Sequence, residues 1–311
     1  MGGSGVLVTG GAGFVGRHVV ERLAGRGGVR VLAHRNAVEV PGVEVVWGDL
    51  AGGGLRGVCD GIGTVLHLAA RIGGDEAQCR AVNAEGTRAL LAEAERAGVR
   101  RIVQLGTAAV YRDGAHRGEA EGELAEGPRS ATSVTRLEGE RMVLAAGGTV
   151  LRPHLVFGRG DRWMVPALVA LMARLPHWVD GGRARISVIA VDVLADVLAE
   201  FAVREELAEP GRVLHAAHPV PVTARELVGT VARELRLPLP RGEVDLDGAV
   251  GLLGAADDPS ARRHLSLLAV DHWYGTRRLW GRVSAAHGPR FGEAFGPYGD
   301  WYRQELRGRS R

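Results

Sequence analysis

A glycine-rich stretch is the first part of this sequence able to do chemistry. Thr9, Gly10, Gly11, Ala12, Gly13, Phe14, Val15 and Gly16 follow a short apolar run and open a helical pattern. Gly10 permits a tight turn, Gly13 lets a phosphate approach the backbone, and Gly16 lets the helix pack closely on the strand. A helix starting there points unpaired N–H groups and a partial positive charge at a pyrophosphate. The chain holds 47 glycines, so a glycine-rich turn alone would mean little. The strand before it and the helix after it turn the pattern into a dinucleotide site.

The next strand bears on which dinucleotide. An acid at its end would bind a ribose 2′-hydroxyl. Ala33 stands there instead, followed by His34 and Arg35. Arg35 is able to grip a 2′-phosphate with two parallel hydrogen bonds. NADP(H) is therefore the expected cofactor, ahead of NAD(H).

These residues need a parallel sheet to hold them. Val6 to Val8, Val29 to Leu32, Val43 to Val46, Val65 to Leu68, Ile102 to Leu105 and Val150-Leu151 read as strands. Helical spacing runs from Val15 to Ala24 and from Val82 to Ala97. This alternation predicts an α/β fold, a Rossmann doubly wound parallel sheet with a smaller C-terminal substrate lobe. Pro166 to Leu175 and Val191 to Val203 read as helices, and Val213 to His215 as a last strand returning to the sheet. Residues 1–155, completed by about 186–218, make the NADP(H)-binding domain. Residues 156–185 and 219–311 make the substrate lobe, with Asp161 and Arg162 as a possible lid hinge. Residues 220 to 300 read as irregular.

Composition agrees with that fold. Of 311 residues, 46% are hydrophobic and only 5% aromatic, as suits an aliphatic sheet buried on both faces. The net charge is +3 and the arginines are scattered among acids, which argues against nucleic acid. No run is long enough for a membrane span. Cys59 and Cys79 lack metal spacing and read as buried thiols of a reducing cytoplasm, with no metal expected. No secretory signal pattern opens the chain.

Several motifs in order resemble one family, the extended short-chain dehydrogenase/reductases. They are the TGxxGxxG loop; Asp49-Leu50 after the third strand; His67-Leu68-Ala69-Ala70; Val82-Asn83 with Gly86-Thr87; and Leu151-Arg152-Pro153 followed by Val156-Phe157-Gly158. The match spans about residues 5–160, with a weaker echo at Val191-Asp192. The resemblance implies that Asp49 and Leu50 contact the adenine. It places Leu68, Ala69 and Ala70 beside the cofactor, and Pro153 and Val156 at the nicotinamide. Val110-Tyr111 marks the family's VYG landmark, with Tyr111 structural and Thr107 at the Ser/Thr position.

The pattern then breaks. The family's YxxxK helix reads here Pro128-Arg129-Ser130-Ala131-Thr132-Ser133-Val134-Thr135-Arg136. Thr132 falls at the Tyr position and Arg136 at the Lys position. All 39 basic residues are arginine, so no lysine exists to complete the pair. In the family the Tyr supplies a proton with a phenol pKa lowered from about 10 by the Lys. A Thr hydroxyl donates a hydrogen bond but is a poor acid. Arg136 can hold ribose hydroxyls and supply fixed charge, yet it will not give up a proton.

The catalytic set expected is Thr107, Thr132 and Arg136, with Arg136 also on the cofactor. The expected function is an NADPH-dependent ketoreductase whose substrate supplies its own acid. A phenol beside the ketone would pass its proton across as charge arrives. The sequence resembles atypical reductases of aromatic polyketides, the angucyclinone type among them. The partner is then a small aromatic ketone, held by His116, Trp163, Met164, Trp178, Trp273 and Tyr274. A non-catalytic NADP(H)-binding sensor is the alternative, and a sugar-nucleotide epimerase or dehydratase the third. His116 otherwise reads as a solvated loop residue, His272 as a group facing substrate, and Glu119 to Glu126 as a solvated acidic loop. The ketone, its stereochemistry and the oligomeric state are left open.

Overall fold

The computed structural model describes residues 3–36, 38–207, 209–254 and 259–309. Seven parallel strands form one sheet. They are β1 (Gly5–Thr9), β2 (Val29–Ala33), β3 (Val43–Trp47), β4 (Ile62–His67), β5 (Arg101–Leu105), β6 (Thr149–Arg152) and β7 (Arg212–His215), in the order β7-β6-β5-β4-β1-β2-β3. Successive crossovers run one way from β1 to β3 and the other way from β4 to β7. The direction reverses between β1 and β4, and a cleft opens outside a parallel sheet at such a point. The central strand β4, mostly apolar but with Thr64 and His67 among its residues, is buried along its whole length, as a parallel strand covered on both faces is.

Six helices matter to the site. They are α1 (Phe14–Leu23), α2 (Gly86–Arg96), α3 (Ala131–Ala145), α4 (Met164–Arg174), α5 (Val191–Val203) and α6 (Ala224–Leu235). Val15, Val19, Val20 and Leu23 of α1 pack with Val191, Leu194, Val197, Leu198 and Phe201 of α5 in the largest core. Each such buried side chain contributes at most about 1.5–3 kcal/mol. A second core joins Phe157, Leu168, Ile186, Val231, Phe295 and Tyr302 under the C-terminal lobe.

Most strand and helix expectations hold within a residue or two; β4 starts three residues before Val65, and the helix expected from Val82 is a helical run from Glu76 that passes through a π turn at Ala81–Glu85 before α2. Segment 220–300 is not irregular: α6 fills its first part, Leu246–Leu253 and Pro259–Ala269 follow as helices, and Phe291–Ala294 closes it. α6 packs into the second core, and the two helices after it pack into a separate one. The helix ahead of Pro166 begins earlier, because Asp161 accepts the N–H groups of Trp163, Met164 and Val165. Asp161 is 1% exposed and also accepts from the Tyr302 hydroxyl. It is a buried cap.

The acidic loop is a further correction. Glu121 is buried, accepts the N–H of His215 and lies 3.3 Å from Arg278. Glu126 pairs with Arg141 and Arg152. Two of the loop's carboxylates thus neutralise arginines, one of them buried. Cys59 and Cys79 are free and buried. No helix among the described residues is long and apolar enough to cross a membrane.

Candidate active site

A cleft of about 900 Å³ lies at the sheet's reversal point. Its wall includes Thr9, Gly10, Gly13, Phe14, Val15, Gly16, His34, Arg35, Asp49, Leu50, Leu68, Ala69, Ala70 and Arg136. Arg71, Ile72, Gln78, Leu105 and Trp163 complete the opposite end. Gly10 has φ +70°, and a Cβ on it would meet the Ala69 nitrogen at 2.6 Å. A Cβ on Gly16 would meet the Gly10 oxygen at 2.1 Å. Both positions admit only glycine. Gly13 begins α1 with no side-chain cap, and the first turn carries no acid. These free N–H groups and that bare approach fit a pyrophosphate.

Behind the glycine loop a chain of hydrogen bonds sets the end of β4. Thr9 Oγ1 accepts from the Ala69 amide at 3.2 Å and donates to His67 Nδ1 at 2.7 Å. Thr87 Oγ1 donates to the Asn83 carbonyl, so at 3.0 Å it accepts from His67 Nε2–H. His67 is therefore neutral with its proton on Nε2. Burial, together with the nearby Arg136 cation, lowers its pKa to about 4.

At the adenosine end, Arg35 is exposed and its Nε donates to His34 Nε2 at 3.0 Å. His34 Nδ1 lies 3.7 Å from Asp49. A carboxylate thus stands behind the His34–Arg35 pair.

At the inner end sit the residues aligned with the family's proton machinery. Ser130 and Ser133 form a reciprocal cap that starts α3. Thr132 Oγ1 accepts the N–H of Gly73 at 3.0 Å and lies 3.8 Å from Cys79 Sγ. Arg136 Nη2 donates to the carbonyls of Leu105 and Gly106, at 2.9 and 2.7 Å. Burial holds that guanidinium below its usual pKa. Thr107 Oγ1 accepts from the Ala109 amide. Its own N–H donates to Glu140 Oε1 at 3.1 Å. Glu140 is fully buried and pairs with Arg152 Nε at 2.7 Å. Neither Thr107 nor Thr132 is on the cleft wall.

The proposed aromatic set is not brought together. Trp163 alone reaches the cleft, 57% exposed at its rim. Met164 packs against the second core. Trp178 lies under Arg225, with Cζ 4.3 Å from the ring centre, and Trp273 lies under Arg185 at 4.5 Å. Tyr274 is 5% exposed, and its hydroxyl meets His116 Nδ1 at 3.0 Å. His116 is buried rather than solvated, because Nε2 donates to the Arg112 carbonyl. Tyr111 is structural, its hydroxyl 2.6 Å from His215 Nε2. His272 stacks on His154. The aromatics of the lobe largely serve packing. Pro153 accepts the Ala108 amide, and Val156 packs on the sheet core; both stand off the cleft wall.

Residues 6–221 match the NAD dependent epimerase/dehydratase family. The chain belongs to that family. It is 30% identical to a 2-alkyl-3-oxoalkanoate reductase of Stenotrophomonas maltophilia, over 89% of this chain and 94% of that one. It is 29% identical to the 4-hydroxy-2-methyl-3-oxo-4-farnesyl-3,4-dihydroquinoline-1-oxide ketoreductase of Stigmatella aurantiaca, over 71% and 70% of the two chains. MoeE5, solved with UDP-glucose and NAD, shares the fold with a TM-score of 0.74 and 24% identity, covering 97% and 99%. The chain is thus an NAD(P)-dependent oxidoreductase of the extended short-chain type. Within this family member, sequence reading missed Arg71, Gln78 and Glu140. Arg71 follows the His67-Leu68-Ala69-Ala70 motif directly, which was the available signal.

Proposed function

We propose that this protein is an NADPH-dependent ketoreductase of aromatic polyketide-type ketones, the angucyclinone type among them, in which the substrate supplies the proton. One observation carries the reading. The titratable residues on the cleft wall are His34, Asp49 and three arginines. His34 and Asp49 follow β2 and β3, at the adenosine end. The arginines cannot act as acids. Among the described residues, the inner end therefore offers positive charge and hydrogen bonds but no group of suitable pKa.

When bound, the reduced nicotinamide supplies the hydride. Arg136 holds the ribose side and keeps a fixed cation near the forming oxyanion. The ketone oxygen takes the proton of a neighbouring phenol, and the negative charge ends on a delocalised phenolate. Solvent reprotonates it after release. Trp163 offers a flat apolar face at the rim for a ring. Arg35 selects the 2′-phosphate. The two relatives named above act by name on an oxo compound, which supports ketone reduction over epimerisation.

The test compares a tetralone bearing a hydroxyl peri to the ketone with its methyl ether. Binding is measured separately by titration. The ether should bind yet turn over about two to four orders of magnitude more slowly, the usual worth of acid–base assistance. Equal rates would mean that a protein group or water gives the proton. If NADPH binds but neither compound is reduced, the non-catalytic sensor takes its place.

A further inference from the structure

We infer that Arg71 selects substrates able to carry an anionic oxygen beside the ketone, and holds that oxygen as charge arrives on it. The inference rests on the ketoreductase reading and deepens it.

Arg71 is built into the inner end of the cleft rather than lying loose upon it. Its N–H donates to Asn83 Oδ1 at 2.7 Å, and Asn83 Nδ2 donates back to its carbonyl at 3.0 Å. Asn83 is 3% exposed, and it sits in a single π turn, Ala81–Glu85, just before α2. The same Asn83 amide also reaches Thr135 Oγ1 on α3, at 3.0 Å. Two residues beyond Arg71, Gly73 is fastened to Thr132. Both ends of the segment are thus tied to the helix that carries Thr132 and Arg136. Such attachment fixes where the Arg71 side chain begins.

Its charge is not answered by the protein. Arg80, at the end of the short helix Glu76–Arg80, pairs with Glu76 and Glu138. Arg71 has no carboxylate partner among the described residues. Its guanidinium meets the neutral amide oxygen of Gln78, while its Nε is buried with no partner. An unanswered N–H of a cation in a partly buried cleft is costly, and a bound anion would remove that cost. A planar guanidinium suits a planar, delocalised anion such as a phenolate or an enolate.

The dinucleotide's pyrophosphate is the competing anion. It has its own cradle in the glycine loop and the free N–H groups of α1. The side-chain bonds that fix the Arg71 segment run to α3 instead.

The experiment uses the full chain with Arg71→Gln and Arg71→Lys, the peri-hydroxytetralone and its methyl ether. In Arg71→Gln the phenol-to-ether ratio of kcat should fall about ten- to hundredfold, as the loss of one charge-assisted hydrogen bond predicts. NADPH affinity should change by about twofold or less, and Arg71→Lys should recover part of the ratio. An equal loss on both substrates overturns the inference, and so does a large loss of NADPH affinity, which would assign Arg71 to the pyrophosphate. If the wild type reduces neither compound, the ketoreductase reading fails by itself. Equilibrium binding to the NADP+-loaded protein then decides: wild type should prefer the hydroxytetralone to its ether, and Arg71→Gln should not. No preference in wild type also overturns the inference.

Discussion

The hydroxyl oxygen of Thr132 accepts the backbone N–H of Gly73 at 3.0 Å. Cys79 Sγ donates to the Gly73 carbonyl at 3.4 Å and lies 3.8 Å from the Thr132 hydroxyl oxygen. The residue at the Tyr position is therefore turned to the 73–79 segment. It fastens a loop to α3.

Thr132→Val should consequently slow turnover modestly, by about tenfold or less. It should also cost about 1 kcal/mol of stability through the lost bond to Gly73. Steady-state kinetics and urea unfolding measure the two. A loss of about a thousandfold or more in kcat, at unchanged stability, would mark Thr132 as a dedicated acid and refute this account.

The proposed preference for NADPH rests on Arg35. Its Nε is used by His34, and the guanidinium is otherwise exposed on the cleft wall. Arg35→Ala should weaken NADPH by about 1.5–3 kcal/mol and leave NADH nearly unchanged. Fluorescence titration with both cofactors checks it. Wild type binding NADH as tightly as NADPH would remove the assignment.

Glu140 and Arg152 support Thr107 from below. Both are buried, and Glu126 satisfies a second edge of the guanidinium. Burial alone pushes the Glu140 carboxyl up, and Arg152 is its main counterweight. Arg152→Met leaves Glu140 without its closest cation and should cost about 3–5 kcal/mol. Denaturant unfolding measures that cost. A change below about 1 kcal/mol would show that the pair is relaxed by water.

The sequence announced the sheet and the cofactor cradle because their rules are local. Gly10 needs a positive φ, Gly16 must touch backbone, and β4 is mostly apolar; each leaves its mark in a few adjacent residues. The substrate side is assembled from distant segments, and no local pattern reports that. Tyr274 meets His116 across 158 positions, and Glu121 meets the His215 amide across 94. Trp178 and Trp273 suggested a pocket by type alone, whereas arginine stacking decides their place. Arg71 was overlooked because an arginine after a motif reads as solvated until its partners, or the lack of a carboxylate, are seen.

The buried histidines make stability depend on pH, and the sign follows from their neutral state. Burial lowers the pKa of His67 to about 4 and of His154 to about 3, and lowers His215 and His272 as well. The unfolded chain titrates near the ordinary value of about 6.5. For a base whose folded pKa is depressed, the unfolded state binds the proton first. The stabilisation is fully present above about pH 6.5 and is lost as pH falls toward the folded values of about 4 and 3. Each fully buried histidine contributes a slope of up to about 1.4 kcal/mol per pH unit inside that window. Most carboxylates remain ionised between about pH 7 and pH 5, so the histidines dominate there. Urea midpoints should fall steadily over that range. His154 is the site to alter, because its Nε2 is buried without a partner and its ring stacks on His272. His154→Leu keeps an apolar group of similar size and removes one titrating ring, so its acid limb should be shallower than that of the wild type. Midpoints that stay level from about pH 7 to pH 5, or a variant with the same slope, would show that protonation at this cluster costs the folded state nothing.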